Sequence, residues 1–393
     1  MTAFERGEFL VRLQKTKQRM GESGIELLLV SDPSNLNYLT GYDASSYYVH
    51  QVVVVALEAE EPLWIGRKMD VACARYTAFL QPANIIGYPE DFIGSADRHV
   101  MEFVADTLRA RGWATRRLGV EMDSAPYTPR CDAELRARLP EARFFDANLL
   151  VNWVRIIKSP QEIAYMKQAA TLSERAMQTA VDAIAPGVRE CDVAAKIYGA
   201  LIAGAEDFEG HLTMNGGLFM PSGEKTSAPH LGWTSDRYRK GAATNIELGG
   251  CRHGYHAGLA RTVFLGGPPS KLKSLAPVVV EGMAAALDRA RAGVRCEDVE
   301  AAWRQVIQKA GWEKESRIGY SIGIGYPHTS WIERTASLRA GDHTLLEPNM
   351  TFHMILGMWM DDWGFELSET FRVTEHGEPE VFSRFPRELI VKH

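Results

Sequence analysis

The sequence has few cysteines, no long hydrophobic run and no excess of basic charge. Its five cysteines are dispersed along 393 residues without a C-x-x-C pair, which argues against a disulfide framework and is typical of a reducing compartment. A net charge of −6 gives no electrostatic footprint for nucleic acid, and no apolar run is long enough to span a membrane. The N-terminal segment lacks a signal-peptide core. We therefore expect a cytoplasmic protein that acts on a small molecule and binds neither nucleic acid nor membrane.

What the sequence does contain is two regions of different pattern. Residues 1–155 alternate apolar strand-like runs with amphipathic segments, and two of the strands follow one another without a helix, which predicts a mixed α/β sheet. In RIIKSPQE, residues 155–162, Ser159 precedes Pro160 and Glu162 in the pattern of a capping box at the start of a long helix. The sequence therefore predicts one domain at residues 1–155 and a second at residues 156–393.

The second region contains an internal repeat. APGVRECDVAA at residues 185–195 is similar to RAGVRCEDVEA at residues 291–301. Each copy lies between two helical segments and is followed by strand-like hairpins, which favours a duplicated α/β half over chance similarity. We expect the hairpins of the two halves to form one sheet, with helices outside it and a site in the cleft between the halves.

Residues 244–266, TNIELGGCRHGYHAGLARTVFLG, predict a long β-hairpin around a glycine-containing turn. Side chains two apart share a face of a strand, so Glu247 is a single carboxylate among apolar neighbours, with Gly258 across from it. An ionised carboxylate in such a place needs a cationic partner. The alternative is a surface hairpin on which Glu247 faces water.

These segments resemble, in order, the motifs of the creatinase/prolidase/methionine aminopeptidase superfamily, which has the pita-bread fold. RIIKSPQEI is similar to its interdomain signature, and the other similar segments are RKGAATNIELGG, GYHAGLARTVFLG, RIGYSIGIGY, LLEPNMTFHMILG and FELSETFRVTEHG. The resemblance implies an α/β (α+β) fold in which an N-terminal mixed α/β creatinase-type domain precedes a C-terminal pita-bread domain with an internal two-fold repeat. It also implies a homodimer.

The resemblance further implies where metal ligands would lie. Peptidases of this superfamily hold two metal ions with two Asp, one His and two Glu. The residues that match those positions here are Glu247, Gly258, Tyr320, Ile355 and Ser368. Because glycine and isoleucine cannot bind a divalent cation, we predict an enzyme that uses neither a metal nor another cofactor. Creatinase is a metal-free member that acts on a guanidinium group, but its active-site glutamates match Ala260 and Ser368.

The chain also resembles bacterial ectoine hydrolases in TGYDASSYYVHQ, SAPHLGW, ERTASLR and ELSETFRVTE. That family opens the cyclic amidine of ectoine without metal and gives N-acetyl-2,4-diaminobutyrate. The resemblance implies that Glu247 meets the amidinium and either attacks its carbon or activates water, and that His230 carries protons. Two alternatives are hydrolysis of another small amidine or guanidine compound, and an inert pita-bread protein that binds a ligand.

Further residues are candidates for contact with the substrate. If Gly258, Ile355 and Ser368 face the cleft, the residues two positions earlier face it too. By this rule and by the resemblance, the predicted substrate-binding residues are Tyr48, His256, Tyr320, His353 and Glu366, with Tyr48 reaching the cleft of a neighbouring subunit as in creatinase-like dimers. The alternative for each of these residues is a polar side chain with a structural role only. The candidates for binding the substrate carboxylate are Arg237, Arg239 and Arg334.

Overall fold

A computed structural model of the chain describes residues 3–212, 218–326 and 330–393. The described residues form two compact units. The first ends at Arg155 and includes Tyr326, and the second runs over Ile156–Gly325 and Ser330–His393. Across the described ranges, no helix combines the length and the apolar character that crossing a membrane requires.

In the first unit, helices alternate with the strands of a mixed sheet. The helices are α1 (Arg6–Glu22), α2 (Pro33–Thr40), α3 (Val71–Thr77), α4 (Val100–Ala110), α5 (Pro129–Arg138) and α6 (Leu150–Arg155). The strands are β1 (Leu27–Val30), β2 (Val52–Ala56), β3 (Leu63–Arg67), β4 (Ile85–Tyr88), β5 (Arg117–Val120) and β6 (Arg143–Asp146). They lie in the order β4-β3-β2-β1-β5-β6, with β2 antiparallel to both neighbours and the other pairs parallel. The predicted mixed sheet is confirmed, and β2–β3 is the pair without a helix between its strands.

The sheet of the first unit is covered on both faces, which explains why its central strands read as continuous apolar runs. Leu27 and Leu29 of β1 pack into a core with side chains of α4 and α5. Leu28 and Val30, which point the other way, pack with side chains of α1 and α2. The alternation of side chains along one strand therefore feeds two separate cores.

The second unit combines paired helices with long hairpins. Its helices are α7 (Pro160–Ala183), α8 (Glu190–Ala203), α9 (Ser270–Arg289) and α10 (Cys296–Lys309). Its strands are β7 (Leu218–Phe219), β8 (Ala243–Arg252), β9 (Tyr255–Leu265), β10 (Gly319–Ile322), β11 (Ile332–Leu338), β12 (Thr351–Ile355), β13 (Met358–Trp359), β14 (Gly364–Phe365), β15 (Ser368–Arg372), β16 (Glu380–Val381) and β17 (Ile390–Lys392).

The start of α7 is fixed by the predicted capping box. The Ser159 hydroxyl accepts the amide of Glu162 at 3.3 Å, and the Glu162 carboxylate accepts the amide of Ser159 at 2.7 Å. The same carboxylate accepts the hydroxyl of Tyr255 at 2.6 Å, which ties the helix to β9. Lys158, one residue before the cap, forms a fully buried ion pair with Glu333 at 2.6 Å. Residues of the matched motifs therefore have structural roles here.

The internal repeat is confirmed by equivalent geometry in both copies. Gly187 and Gly293 both have a positive φ, 87° and 81°, at the turns that precede α8 and α10. Their amides donate to the carbonyls of Tyr238 and Leu346 at 2.9 and 2.8 Å. Helices α8 and α10 each have 14 residues. Two halves of the second unit thus repeat one arrangement of helices, turn and strand.

The hairpins do not form the single sheet that we expected. Among the described residues, backbone pairing gives one sheet ordered β17-β9-β8-β7, another ordered β11-β10-β12-β15-β16 and a short β13-β14 pair. Arg261 of β9 joins the two larger sheets, since its guanidinium donates to the carbonyl of Ser368 at 2.8 Å and pairs with buried Glu369 at 2.6 Å. These side-chain bonds and a short backbone bridge between Tyr255 and Ile324, rather than a continuous ladder, hold the two sheets together.

The β8–β9 hairpin is confirmed, with a correction to its register. Its turn is formed by His253 and Gly254, both at positive φ, as a tight hairpin turn requires. Glu247 pairs with Ala260, and Gly258 pairs with Gly249. Gly258 is therefore a diagonal neighbour of Glu247 rather than its direct partner.

Candidate active site

A cavity of about 370 Å³ opens in the second unit. The residues that line it are Phe219, Pro229, His230, Glu247, Ser316, Arg317, Tyr320, Ser330, Trp331, Ile332, Ile355 and Trp359. The structure thus brings together three of the predicted site residues, Glu247, His230 and Tyr320. A volume of this size suits a small molecule.

Glu247 lies in β8 and is 5% exposed. Within the described part of the chain, no hydrogen-bond donor contacts its carboxylate, and Nδ1 of His353 lies 4.0 Å from Oε1. Burial among apolar side chains disfavours the ionised form and raises the pKa of Glu247 to about 7. The carboxylate is therefore poised to change its protonation state near neutral pH, and a cation that enters the cavity would favour its ionised form.

His353 is the centre of a buried hydrogen-bond network beside Glu247. Its Nδ1 lies 3.0 Å from the hydroxyl of Tyr320, which itself accepts the indole N–H of Trp331 at 3.1 Å. Its Nε2 lies 2.7 Å from the hydroxyl of Ser368. Burial lowers the pKa of His353 to about 3, so the ring is neutral. Because Tyr320 accepts from Trp331, its own proton is available to Nδ1, and the proton of the neutral ring lies on Nε2.

The imidazole of His353 occupies the space among the positions where the superfamily's metal ligands would lie. A Cβ added at Gly258 would come within 2.7 Å of the His353 ring, and that ring bonds to Tyr320 and Ser368. Together with Glu247, these positions offer one carboxylate, a phenol and a hydroxyl around an imidazole. This donor set does not fit a pair of divalent cations, which require several carboxylates or imidazoles.

Glu366 lies behind the cavity wall, outside the lining residues. It is 1% exposed, and neither carboxylate oxygen has a hydrogen-bond partner among the described residues. Burial and the nearby carboxylate of Glu247 raise the pKa of Glu366 well above its usual range, and Lys314 lowers it. Burial lowers the pKa of Lys314 to about 8, while its ammonium group donates to the carbonyl of Gly357 at 2.6 Å. Burial and the charge of Glu247 therefore favour the protonated form of Glu366.

The remaining predicted residues lie elsewhere. His230 is exposed at the mouth of the cavity, with its ring 5.3 Å from that of Phe219. His256 is buried with its ring 5.8 Å from Trp331, so the expectation that it lines the cavity is not met by the described residues. Tyr48 belongs to the first unit, is 69% exposed and accepts a hydrogen bond from Arg67 at 3.0 Å.

None of the three arginines that the sequence nominated is among the described lining residues. Arg237 and Arg239 line a separate surface pocket, where Arg237 donates to the carbonyl of Gly187 at 2.6 Å. Arg334 lies in β11 with φ of 62°. The role of these three arginines in binding the substrate carboxylate stays a prediction.

Arg317 is the arginine that the cavity contains. Its guanidinium lies 4.6 Å from the ring centre of Tyr320 and donates to the hydroxyl of Ser337 at 3.0 Å. Among the described residues, no carboxylate lies within ion-pair distance of it. The available signal was its place three residues before Tyr320, at the start of the matched segment RIGYSIGIGY. The aromatic walls, Trp331 and Trp359, had no comparable signal.

Comparison with known families follows the same division of the chain. The profile of metallopeptidase family M24 matches residues 164–375, and that of the creatinase/prolidase N-terminal domain matches residues 12–157. The chain belongs to metallopeptidase family M24. It does so although four of the five metal-ligand positions have residues other than the family's carboxylates and histidine.

Individual relatives cover almost the whole chain. The ectoine hydrolase of Halomonas elongata is 41% identical over an alignment of 397 positions, which covers 99% of this chain and 98% of that protein. An uncharacterised hydrolase/peptidase of Sinorhizobium fredii, y4tM, is 45% identical over 389 residues, which are 99% of this chain and 98% of that protein. The structure of an Xaa-Pro dipeptidase from Bacillus anthracis has a TM-score of 0.81 and 22% identity, over 98% of this chain and 100% of that one. The last similarity shows the fold alone.

Proposed function

We propose that this protein hydrolyses one C–N bond of the cyclic amidine in ectoine, without metal, and releases N-acetyl-2,4-diaminobutyrate. The observation that carries the proposal is Glu247, a buried carboxylate without a donor among the described residues, in a cavity of small-molecule size. An amidinium cation supplies the missing partner, since it carries positive charge and two N–H donors. The 41% identical relative from Halomonas elongata is named for hydrolysis of this compound.

The amidinium carbon is electrophilic without help from a Lewis acid. In one route, a carboxylate oxygen of Glu247 adds to this carbon, one ring nitrogen leaves with a proton, and water then releases the amide from the carboxylate. In the other route, Glu247 takes a proton from water, the hydroxide adds to the carbon, and the same C–N bond breaks. Both routes consume one water and leave one nitrogen as an amine and the other as an acetamide.

The departing nitrogen needs a proton, and two described groups are placed to handle it. The protonated form of Glu366 is favoured, because its carboxyl group is buried, interacts with the charge of Glu247 and has no hydrogen-bond donor among the described residues. His230 lies at the mouth, where it reaches both the cavity and solvent. We assign Glu366 to hold a proton next to Glu247 and His230 to exchange protons with water.

The other end of ectoine is a carboxylate, and Arg317 is its proposed partner. The guanidinium lies at the opening of the cavity and has no carboxylate within ion-pair distance among the described residues. A bidentate bond to the substrate would orient the ring between Arg317 and Glu247. Trp331 and Trp359 provide flat walls for that ring.

Independence from metal rests on the way in which His353 fills the space between the former ligand positions. Its neutral ring is hydrogen-bonded on both nitrogens, so binding a cation would break an existing bond and compete with Tyr320 or Ser368. The homodimer and the cytoplasmic location remain predictions.

The decisive experiment incubates chelator-treated protein with ectoine and follows the ring-opened product by mass spectrometry. We expect turnover without added metal. Glu247→Gln should abolish it while leaving the circular dichroism spectrum unchanged, and Glu388→Gln, a change at an exposed carboxylate of the same unit, should leave it intact. Turnover only after metal is restored would refute metal independence. Turnover of another amidine but not ectoine would favour a different substrate, and turnover of none would favour a binding protein.

A further inference from the structure

A second group of polar side chains lies in the first unit. His50, His99 and Cys131 each offer one ligand atom, and these atoms all lie within 4.8 Å of one another. In the described ranges it is the one cluster of three His, Cys, Asp or Glu with such spacing. The residues come from separate segments: His50 precedes β2, His99 is the N-cap of α4, and Cys131 lies in the first turn of α5.

The cluster has the donor atoms and the spacing of a cation site. The sulfur of Cys131 is fully buried and lies 3.9 Å from Nδ1 and 4.0 Å from Nε2 of His50. The rings of His50 and His99 have centres 5.1 Å apart. Tetrahedral zinc with bonds of about 2.3 Å to sulfur and about 2.0 Å to nitrogen holds those two atoms about 3.5 Å apart. A small contraction of the cluster therefore brings the donors into bonding range.

The surroundings resemble the outer contacts of a metal site. The hydroxyl of Thr128 donates to the Cys131 sulfur at 3.3 Å, and the sulfur also lies 3.8 Å from the carbonyl of Pro126. Two existing contacts compete with a metal ion. Nδ1 of His99 accepts the amide of Met101 at 3.2 Å, and the Cys131 thiol donates to the carbonyl of Pro126, a bond that is lost when the thiolate forms.

We propose that His50, His99 and Cys131 bind one zinc ion, with water as the fourth ligand. Two imidazoles and a thiolate favour zinc over magnesium or calcium, which prefer oxygen ligands. Binding releases the proton of the Cys131 thiol to solvent and replaces the Met101 hydrogen bond where the ion takes Nδ1 of His99. The ion connects the segment before β2 to the starts of α4 and α5. Its role is therefore to stabilise the first unit, independently of the proposed hydrolysis.

Cobalt substitution tests the site in the full-length protein. We expect one equivalent of Co²⁺ to bind the chelator-treated protein and to give the near-ultraviolet charge-transfer absorption of a cobalt–thiolate bond. Cys131→Ser should abolish that band, His50→Gln should weaken cobalt binding at least tenfold, and Cys73→Ser, a change at a cysteine outside the cluster, should leave both unchanged. Absence of the band in the parent protein, or its persistence in Cys131→Ser, would overturn the proposal.

Stability and activity separate this site from the proposed active site. Zinc should raise the melting temperature of the parent protein and of Glu247→Gln alike, whereas magnesium should not. Cys131→Ser should lose the zinc-dependent shift and retain the parent's rate of ectoine hydrolysis. If that variant lost hydrolysis while remaining folded, or if zinc left the melting temperature of the parent unchanged, a purely structural zinc site would be wrong.

Discussion

At the scale of single residues, the candidate site depends on how two buried carboxyl groups divide their charge. Glu247 faces the cavity and Glu366 lies behind it, and burial raises the pKa of both. Since the charge of Glu247 further raises the pKa of Glu366, Glu247 ionises first. Above about pH 7 the site therefore presents the negative charge of Glu247, and that charge together with burial favours the protonated form of Glu366. Hydrolysis of an amidinium needs both an anion and a proton donor.

The first prediction concerns the pH dependence of turnover. Only ionised Glu247 pairs with an amidinium, and its pKa is about 7, so kcat/KM for ectoine should rise as pH increases through about 7 and then level off. Glu366→Gln imitates the protonated carboxyl group and should keep that midpoint while lowering kcat. Rate measurements from pH 5 to 9 check this, and a midpoint near the ordinary pKa of a glutamate would contradict the effect of burial.

The second prediction concerns Arg317. Arg317→Met should raise KM for ectoine by about 10- to 100-fold, because a charged hydrogen-bonded partner contributes about 1.5–3 kcal/mol. The same variant should bind 2-methyl-1,4,5,6-tetrahydropyrimidine, the ring without its carboxylate, as the parent does. Arg239→Met, a change in a separate surface pocket, is the control. An equal loss for both ligands would show that Arg317 does not recognise the carboxylate.

Strand alternation led to some of the residues near Glu247 and failed for others. The alternation of side chains on β12 and β15 led from Ile355 and Ser368 to His353 and the neighbouring Glu366, both of which the structure places beside Glu247. The same rule failed for His256, because Trp331 packs against its ring. Arg317 precedes β10, so no strand periodicity applied to it.

At the scale of secondary-structure elements, the start of a helix and the turn of a hairpin could be predicted from the sequence, whereas the pairing of distant strands could not. The capping box of α7 and the hairpin β8–β9 follow from local sequence, since a cap and a tight turn involve residues close in the chain. The way in which the two larger sheets are joined depends on contacts between distant residues, such as the ion pair of Arg261 and Glu369. Patterns within a short stretch of sequence do not predict such contacts.

The third prediction concerns the start of α7. Ser159→Ala removes one capping bond and should lower the free energy of unfolding by about 1 kcal/mol. Glu162→Ala should cost more, about 2–3 kcal/mol, since it also leaves the buried hydroxyl of Tyr255 without its acceptor. Ser274→Ala at an exposed position of α9 is the control. Denaturant unfolding measures the free energy of unfolding of the three variants. An equal decrease for Ser159→Ala and Glu162→Ala would show that the hydrogen bond to Tyr255 does not stabilise the fold.

At the scale of the whole molecule, the duplicated half and the mixed N-terminal sheet were predicted because each repeats a strong local pattern. The sequence pattern did not predict the shifted pKa values of the buried ionisable side chains in the second unit. His256 and His353 are buried with pKa values of about 4 and about 3, whereas Glu247 has one of about 7. The histidines destabilise the fold as pH falls below their ordinary value, and the glutamate destabilises it as pH rises from about 4.5 to 7.

The fourth prediction isolates one of these terms. Folded His256 binds fewer protons than unfolded histidine between pH 6.5 and about 4, so its contribution to stability is lost as pH falls through that range. Relative to the parent, His256→Gln should gain on the order of 3 kcal/mol over the same interval. His376→Gln, at an exposed histidine, should follow the parent. If the free energy of unfolding changed with pH in the same way for the parent and for His256→Gln, burial would not lower the pKa of His256.

The contact between His353 and Gly258 also limits the paths by which the sequence can change. An aspartate at position 258 would place its Cβ within 2.7 Å of the imidazole, so the substitution is disfavoured while His353 is present. Replacing His353 first would leave Tyr320 and Ser368 with an empty volume and lost hydrogen bonds. Either first step costs stability, and only the pair restores room for a ligand. The two positions are therefore epistatic: Gly258→Asp should cost less stability when His353 is replaced at the same time.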